Sequence, residues 1–383
     1  PILAFFVYND TIKKLKWFEF KQYFRYTMNF QQMLGGLKVA IDKEIEHYFD
    51  IAIKEAQKSD KLIAEALTHT KKIALAGGKR IRGALLCQAY FGVGGKEKKK
   101  ILKVAAAIEL VHLFLLVHDD IIDRGDLRHN QDTLHKMLEK KYQKKISDEN
   151  ALHFGESVAI ITGEMLHTIA NKIILEAEFP LQETMRALVQ LQKIVALTII
   201  GQSQDIGIEY RKNATEKEVL DMYENKTARY TFEGPLHLGA MLGGCINKKT
   251  LQSLSGYAVP LGIAFQIQDD ILGVFGSEKK MGKSVASDIE EGKQSLLVIK
   301  ARLLATKTEK KQLNSILGKN KLTQKEILTF QNILKSTGAL EYAEKLAAQY
   351  LDKGKKEIEK AVLLPQSKEF LVGLVEYLEK REV

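Results

Sequence analysis

The chain has 383 residues, with 58 Lys plus Arg against 48 Asp plus Glu, a formal charge of +10, 45% hydrophobic residues and 28% charged ones. These proportions are those of a globular protein and exclude a collagen-like, low-complexity or disordered chain. Only five prolines, set among abundant Leu, Ile, Ala, Lys and Glu, favour helix over strand.

The first thirty residues hold Phe5, Phe6, Tyr8, Trp17, Phe18, Phe20, Tyr23, Phe24, Tyr26 and Phe30, ten of the thirty aromatic residues, with Lys13, Lys14, Lys16, Lys21 and Arg25 among them. Residues 1–33 therefore read as an N-terminal extension. It is either an amphipathic segment for a membrane surface or sequence upstream of a start at Met28 or Met33; no signal-peptide layout is present. From 34 to 383 the apolar residues recur at helical intervals. Met185, Leu188, Val189, Leu191, Ile194 and Val195 form one stripe, and Leu340, Ala343, Leu346, Ala347 and Leu351 another. Breaks fall at Gly77-Gly78, Gly92 to Lys100, Arg128 to Lys145, Phe179-Pro180, Gly276 to Gly292 and Leu317 to Lys321. About ten to twelve helices follow, with no strand and no repeat, so the expected fold is one large all-α domain. The apolar run Ala105 to Val117 is interrupted by Glu109 and His112 and falls short of the ~20 residues of a bilayer span, so no membrane helix is expected. Cys87 and Cys245 lack metal or redox spacing, which suits a reducing cytoplasm. The lysines are scattered and no groove-reading module is present, so the charge points to a basic cleft for a small polyanion rather than to nucleic acid.

Chemistry concentrates in His118-Asp119-Asp120-Ile121-Ile122-Asp123. On a helix Asp119, Asp120 and Asp123 lie at about 0°, 100° and 40°, so three carboxylates share a face at the mouth of an apolar helix. An oxygen-only cluster of this kind suits Mg²⁺ that takes its remaining ligands from water and substrate phosphates. Asp269-Asp270 follows a second apolar run, with Gln266 on the same face. Two facing acidic clusters make a metal clamp, and Lys79, Arg80, Arg82, Arg128, Lys226, Lys283 and Lys293 become candidate diphosphate ligands.

These blocks, Gly77 to Arg82, Asp119 to Asp123, Gly155 to Leu166, Lys226-Thr227, Gln266 to Gly273 and Gly282-Lys283 through Lys293, stand in an order that resembles the trans-isoprenyl diphosphate synthases, of the short-chain geranylgeranyl diphosphate synthase type. The resemblance implies an isoprenoid-synthase helical bundle around a central cavity. The implied reaction is head-to-tail prenyl transfer, in which an allylic diphosphate ionises and isopentenyl diphosphate captures the cation. It further implies that Asp119, Asp123 and Asp269 hold Mg²⁺, three ions in all, with Asp120 and Asp270 beside them, and that Arg128, Lys226 and Lys283 contact the allylic diphosphate; Lys293 remains a candidate diphosphate ligand. Thr227 and Gln266 would point oxygen dipoles at the cation. Lys79, Arg82, His112 and His129 would bind isopentenyl diphosphate, and a homodimer is implied. Phe114 and Leu115, the fifth and fourth residues before Asp119, would form the floor that sets product length, with Val111 one turn deeper. Two departures stand out: Arg128-His129-Asn130-Gln131-Asp132 lacks the family's second arginine, and Gly273 stands where many members have a third aspartate. His129, unlike arginine, titrates near neutrality, so binding of isopentenyl diphosphate is expected to weaken as pH rises. A terpene cyclase or a non-catalytic partner subunit is the alternative; Gly273 and Ser277 do not fit the cyclase triplet.

Overall fold

A computed structural model describes residues 29–276 and 287–380. Among these residues sixteen α-helices and one π-helical segment account for most of the structure, more than the ten to twelve expected, because short helices form inside the anticipated breaks. The one sheet is a two-residue hairpin, β1 (Leu127–Arg128) paired antiparallel with β2 (Gln131–Asp132), too short for any period-two pattern in sequence.

The first helix, α1 (Phe30–Ala56), starts at a capping box in which Asn29 accepts from the Gln32 amide and Gln32 accepts from the Asn29 amide. Phe30 and Met33 are buried, and the Phe30 ring lies 4.9 Å from Phe370 and 5.5 Å from Tyr377. Residues 30–33, grouped with the extension in the sequence reading, thus belong to the first helix of the bundle. Residues 1–28, with the other nine aromatics of that reading, lie outside the described residues.

After α2 (Lys61–Ala76) and α3 (Ile81–Gly92) comes α4 (Lys98–Ile122), which runs through the middle of one core cluster; α5 (Leu134–Tyr142) and α6 (Asp148–Leu175) pack beside it. The second cluster is built around α10 (Lys248–Phe275) and α15 (Ala339–Lys360). Between them run α7 (Leu181–Arg211), α8 (Glu216–Tyr223), the π-helical segment Glu224–Glu233 and α9 (Gly234–Leu242). The chain closes with α11 (Ser287–Glu290), α12 (Leu296–Leu304), α13 (Lys307–Ile316), α14 (Gln324–Ser336) and α16 (Pro365–Glu379). Burying each Leu, Ile or Phe of these two clusters contributes about 1.5–3 kcal/mol, so the central helices are held by packing rather than by propensity.

Four helices, α4, α6, α7 and α10, are long and apolar enough to cross a membrane by length and composition alone, contrary to the expectation drawn from the short, interrupted run Ala105 to Val117. In α4 and α10 that apolar surface is covered by other helices, 72% and 67% of it buried, and both end in paired aspartates. In α6 and α7 only 44% and 39% is buried, which leaves an apolar face on the outside of the bundle.

Candidate active site

The first acidic block closes α4. A helix C-terminus repels carboxylates, so Asp119, Asp120 and Asp123 require cations, and the fold brings them. Asp120 is only 5% exposed, and Arg128 on β1 grips it with two nitrogens, Nε at 2.9 Å and Nη2 at 2.5 Å from Oδ1. Burial raises the Asp120 pKa and the guanidinium opposes that rise. Asp120 thus anchors Arg128 and the hairpin instead of facing a ligand. Asp119 lies 3.5 Å from Lys226 Nζ. Asp123 is pushed up to about 7, first by burial and then by Asp119, with Lys293 and Lys226 pulling back.

Lys226 and Thr227 sit on the π-helical segment, which is wedged between α7 and α10. A Cβ on Gly201 would lie 2.3 Å from the Lys226 nitrogen, and one on Gly262 2.3 Å from the Ala228 Cα, so neither neighbour can carry a side chain there. Lys226 Nζ donates to Asp205 Oδ2 at 2.6 Å. Burial disfavours its charge, but Asp119 and Asp205 outweigh that and raise its pKa. Sequence reasoning missed Asp205, one of two acids, with Glu209, in the last turns of the long amphipathic α7. On the α10 side, Thr227 Oγ1 donates to Gln266 Oε1 (2.8 Å), and Gln266 Nε2 donates to Asp270 Oδ1 (3.0 Å). Asp270 also accepts the Tyr223 hydroxyl and, chiefly through burial, is pushed up to about 7. Like Asp120, Asp270 is the inward member of its pair; Asp269 is the more exposed one.

Lys293 bonds Asp288 (3.1 Å) and Glu291 (2.9 Å), and its charge reaches Asp123 on the other bank. A Cβ on Gly273 would stand 1.9 Å from Asp288 Oδ2, so the Asp288 carboxylate fills the space into which a third aspartate at 273 would project. Lys283 lies outside the described residues. No three His, Cys, Asp or Glu side chains among the described residues form a ready-made metal cage. The donors are carboxylates throughout, and positive charge offsets the burial and the neighbouring Asp119 that raise Asp123. This set fits a hard cation that takes part of its shell from phosphate oxygens.

The third wall starts at the Gly77-Gly78 turn. Arg80, at φ 55°, turns away from any ligand: its Nε donates to Asp42 at 2.7 Å, Nη2 donates to the Ala74 carbonyl and Nη1 lies 3.8 Å from Glu109. It secures the turn and, of the described candidate diphosphate ligands, is the one the fold turns inward. Arg82 donates to Thr231 Oγ1 (2.8 Å), lies 4.8 Å over the Tyr230 ring and leaves a buried Nε without a partner. Lys79 Nζ donates to the Tyr377 hydroxyl at 2.6 Å. The His129 ring packs beneath Gly77, where a Cβ would meet Nδ1 at 2.6 Å. Burial and then Arg128 and Arg80 lower the His129 pKa; burial, Arg82, Arg128 and Arg80 hold His112 far below 6.5. Both shifts favour the neutral ring, which works against the partial charge expected of His129.

Val111 and Phe114 are buried below the aspartates. Leu115 keeps to the Asp119 side of α4, one turn away, whereas the Phe114 ring turns to α6. There it stacks on His167 (4.9 Å, 15°) and meets His118 edge-on (4.9 Å, 77°). His118 in turn contacts the Ile160 carbonyl at 3.0 Å. His167 was not singled out from sequence; a histidine between apolar helical positions reads as core.

The family model for polyprenyl synthetases matches residues 61–334. The chain belongs to the polyprenyl synthetase family. It is 38% identical over 315 residues to the geranylgeranyl diphosphate synthase of Saccharolobus solfataricus, covering 81% of this chain and 87% of that protein. Identity to the geranylgeranyl diphosphate synthase of Methanosarcina mazei is 34% over 307 residues, 80% of this chain and 87% of the relative. The crystal structure of geranylgeranyl pyrophosphate synthase from Corynebacterium glutamicum, complexed with isoprenyl diphosphate and magnesium, superposes with a TM-score of 0.85 at 26% identity, covering 93% of this chain and 100% of that one. The all-α fold of this polyprenyl synthetase is thereby the one the sequence implied.

Proposed function

We propose that this polyprenyl synthetase is a Mg²⁺-dependent head-to-tail prenyl transferase that condenses isopentenyl diphosphate with allylic diphosphates to geranylgeranyl diphosphate or a close short-chain product. The observation that carries the reading is Lys226, which stands 3.5 Å from Asp119 and so joins the wall of α4 to the wall that bears Thr227, Gln266 and Asp269. Asp119, Asp123 and Asp269 would hold the metal, and bound Mg²⁺ supplies charge neutralisation for the departing diphosphate. Lys226, Lys293 and Arg128 bind the same leaving group as it gains negative charge. The Thr227 and Gln266 oxygens face the allylic cation. On the third wall Arg82, Lys79, His112 and His129 hold the diphosphate of isopentenyl diphosphate and thereby orient its double bond toward that cation.

Support for a homodimer comes from Ile160, Ile161, Met185, Val189, Ile199 and Ile200, large apolar residues of α6 and α7 that are 47–66% exposed. Free Cys87, whose thiol burial pushes up to about 12, and free Cys245 accord with a reducing cytoplasm.

The test is incubation of the purified chain with isopentenyl diphosphate, Mg²⁺ and each allylic primer, followed by sizing of the products. EDTA is expected to stop turnover, and Asp119→Ala or Asp269→Ala to lower it about 10²–10³-fold, the cost of one strong electrostatic contact. Full activity in EDTA, or a loss below tenfold in both variants, refutes the metal clamp.

A further inference from the structure

Thr227 and Gln266 do not stand alone. The Leu296 amide donates to the Tyr223 hydroxyl at 2.9 Å, and the Tyr223 hydroxyl donates to Asp270 Oδ2. Gln266 Nε2 donates to Asp270 Oδ1, and the Thr227 hydroxyl donates to Gln266 Oε1. Four donors thus converge, directly or through one intermediate, on one buried carboxylate. The sense of the chain is that of an ionised Asp270. As a carboxylate it only accepts, so Gln266 offers it the amide nitrogen, which leaves Oε1 for Thr227; the Thr227 proton then points at Gln266, and its lone pairs point elsewhere.

Tyr223 occupies the hinge of this arrangement. It is the last residue of α8, directly ahead of the π-helical segment, and is 1% exposed. Through its hydroxyl alone it touches α10 at Asp270 and the start of α12 at Leu296, three residues beyond Lys293. We propose that Tyr223 is a positioning residue: by fixing Asp270 it sets the orientation of the Gln266 amide and hence the direction in which the Thr227 oxygen faces the reacting cation. The proposal rests on the reading of Thr227 and Gln266 given above. A phenylalanine would fill the same volume while leaving Asp270 Oδ2 and the Leu296 amide unpaired, and connected buried networks of this kind fail as units.

The experiment is a steady-state comparison with a double-mutant cycle. Tyr223→Phe is expected to lower kcat at least tenfold while the KM for isopentenyl diphosphate, held on the third wall, stays within threefold. Tyr257→Phe removes an equally buried hydroxyl, which donates to the Leu371 carbonyl at 2.8 Å, and is expected to lower the melting temperature similarly with wild-type kcat. In a Thr227→Val background the Tyr223→Phe change is expected to cost less than a further twofold, since its effect passes through Thr227. If Tyr223→Phe does not fold, Asp270→Asn, which reverses one donor of the chain at constant shape, is expected to show the same loss confined to kcat. A kcat within twofold of wild type, losses that multiply in the double variant, or an equal kcat loss in Tyr257→Phe each overturn the proposal. A wild-type protein inactive in the same assay refutes the reading of the site itself.

Discussion

Replacing Phe114 by alanine tests the product-length floor. Phe114 is 4% exposed and sandwiched against His167 and His118, so losing the ring costs about 3–5 kcal/mol of stability. It also opens space one turn deeper, toward Val111. One more isoprene unit carries five carbons; at ~0.8 kcal/mol per carbon buried, filling the space gains up to about 4 kcal/mol. The newly exposed wall is the His167 ring, whose buried Nε2 has no hydrogen-bond partner in the protein. Packing hydrocarbon against such an atom costs about 1–3 kcal/mol. The difference, about 1–3 kcal/mol, is a factor of roughly 5–150 in favour of another condensation. Phe114→Ala is therefore expected to shift products to C25 and longer, and Phe114→Ala with His167→Ala to go further. Labelled isopentenyl diphosphate, dephosphorylation and reversed-phase separation read the distribution directly. An active variant with an unaltered distribution would mean that the floor is built from other residues.

The remaining predictions follow from local geometry. Because burial and neighbouring arginines lower the pKa of both His112 and His129, the neutral form is favoured, and the KM for isopentenyl diphosphate is expected to vary little between pH 7 and 8.5. It should fall only on the acid side, as protonation of the rings adds charge; a KM that climbs steadily between pH 7 and 8.5 would contradict this. Gly273→Asp places a carboxylate where Asp288 already lies, and overpacking of this kind costs about 1–3 kcal/mol. Its expected signature is a lowered melting temperature and at least a tenfold loss of kcat; unchanged values would show that Asp288 yields freely. Met185→Glu on the outer face of α7 should move the protein to the monomer position in sedimentation, and an unchanged sedimentation coefficient would exclude that face as the contact.

The helices and the two acidic ends were legible because both signals are local: apolar spacing of three and four residues, then carboxylates on one turn. What stayed hidden depends on partners far along the chain. Asp205 acquires its role only through Lys226, Tyr223 only through Asp270 and Leu296, and His167 only through Phe114. Each reads alone as an ordinary residue of an amphipathic helix. Arg80 and Arg82 are two residues apart in one motif, yet a positive φ turns the first into Asp42 and Glu109 while the second stays with Tyr230. Side-chain identity could not separate them. The doublets Asp119-Asp120 and Asp269-Asp270 behave alike for a simpler reason: neighbours on a helix diverge by about 100°, so one of each pair is turned into the protein and takes up a structural partner.

The glycines that admit the π-helical segment have a consequence for how such an enzyme can diversify. Main chain rests on main chain at Gly201 and Gly262, so the frame carrying Lys226 and Thr227 is insulated from drift in surrounding side chains. The surfaces of α4 and α6 around Phe114 meet through rings and aliphatic groups, so if they line the path of a growing hydrocarbon, as proposed, a single replacement there alters depth without disturbing that frame. Selection can therefore vary how many isoprene units are joined while the joining reaction stays constant.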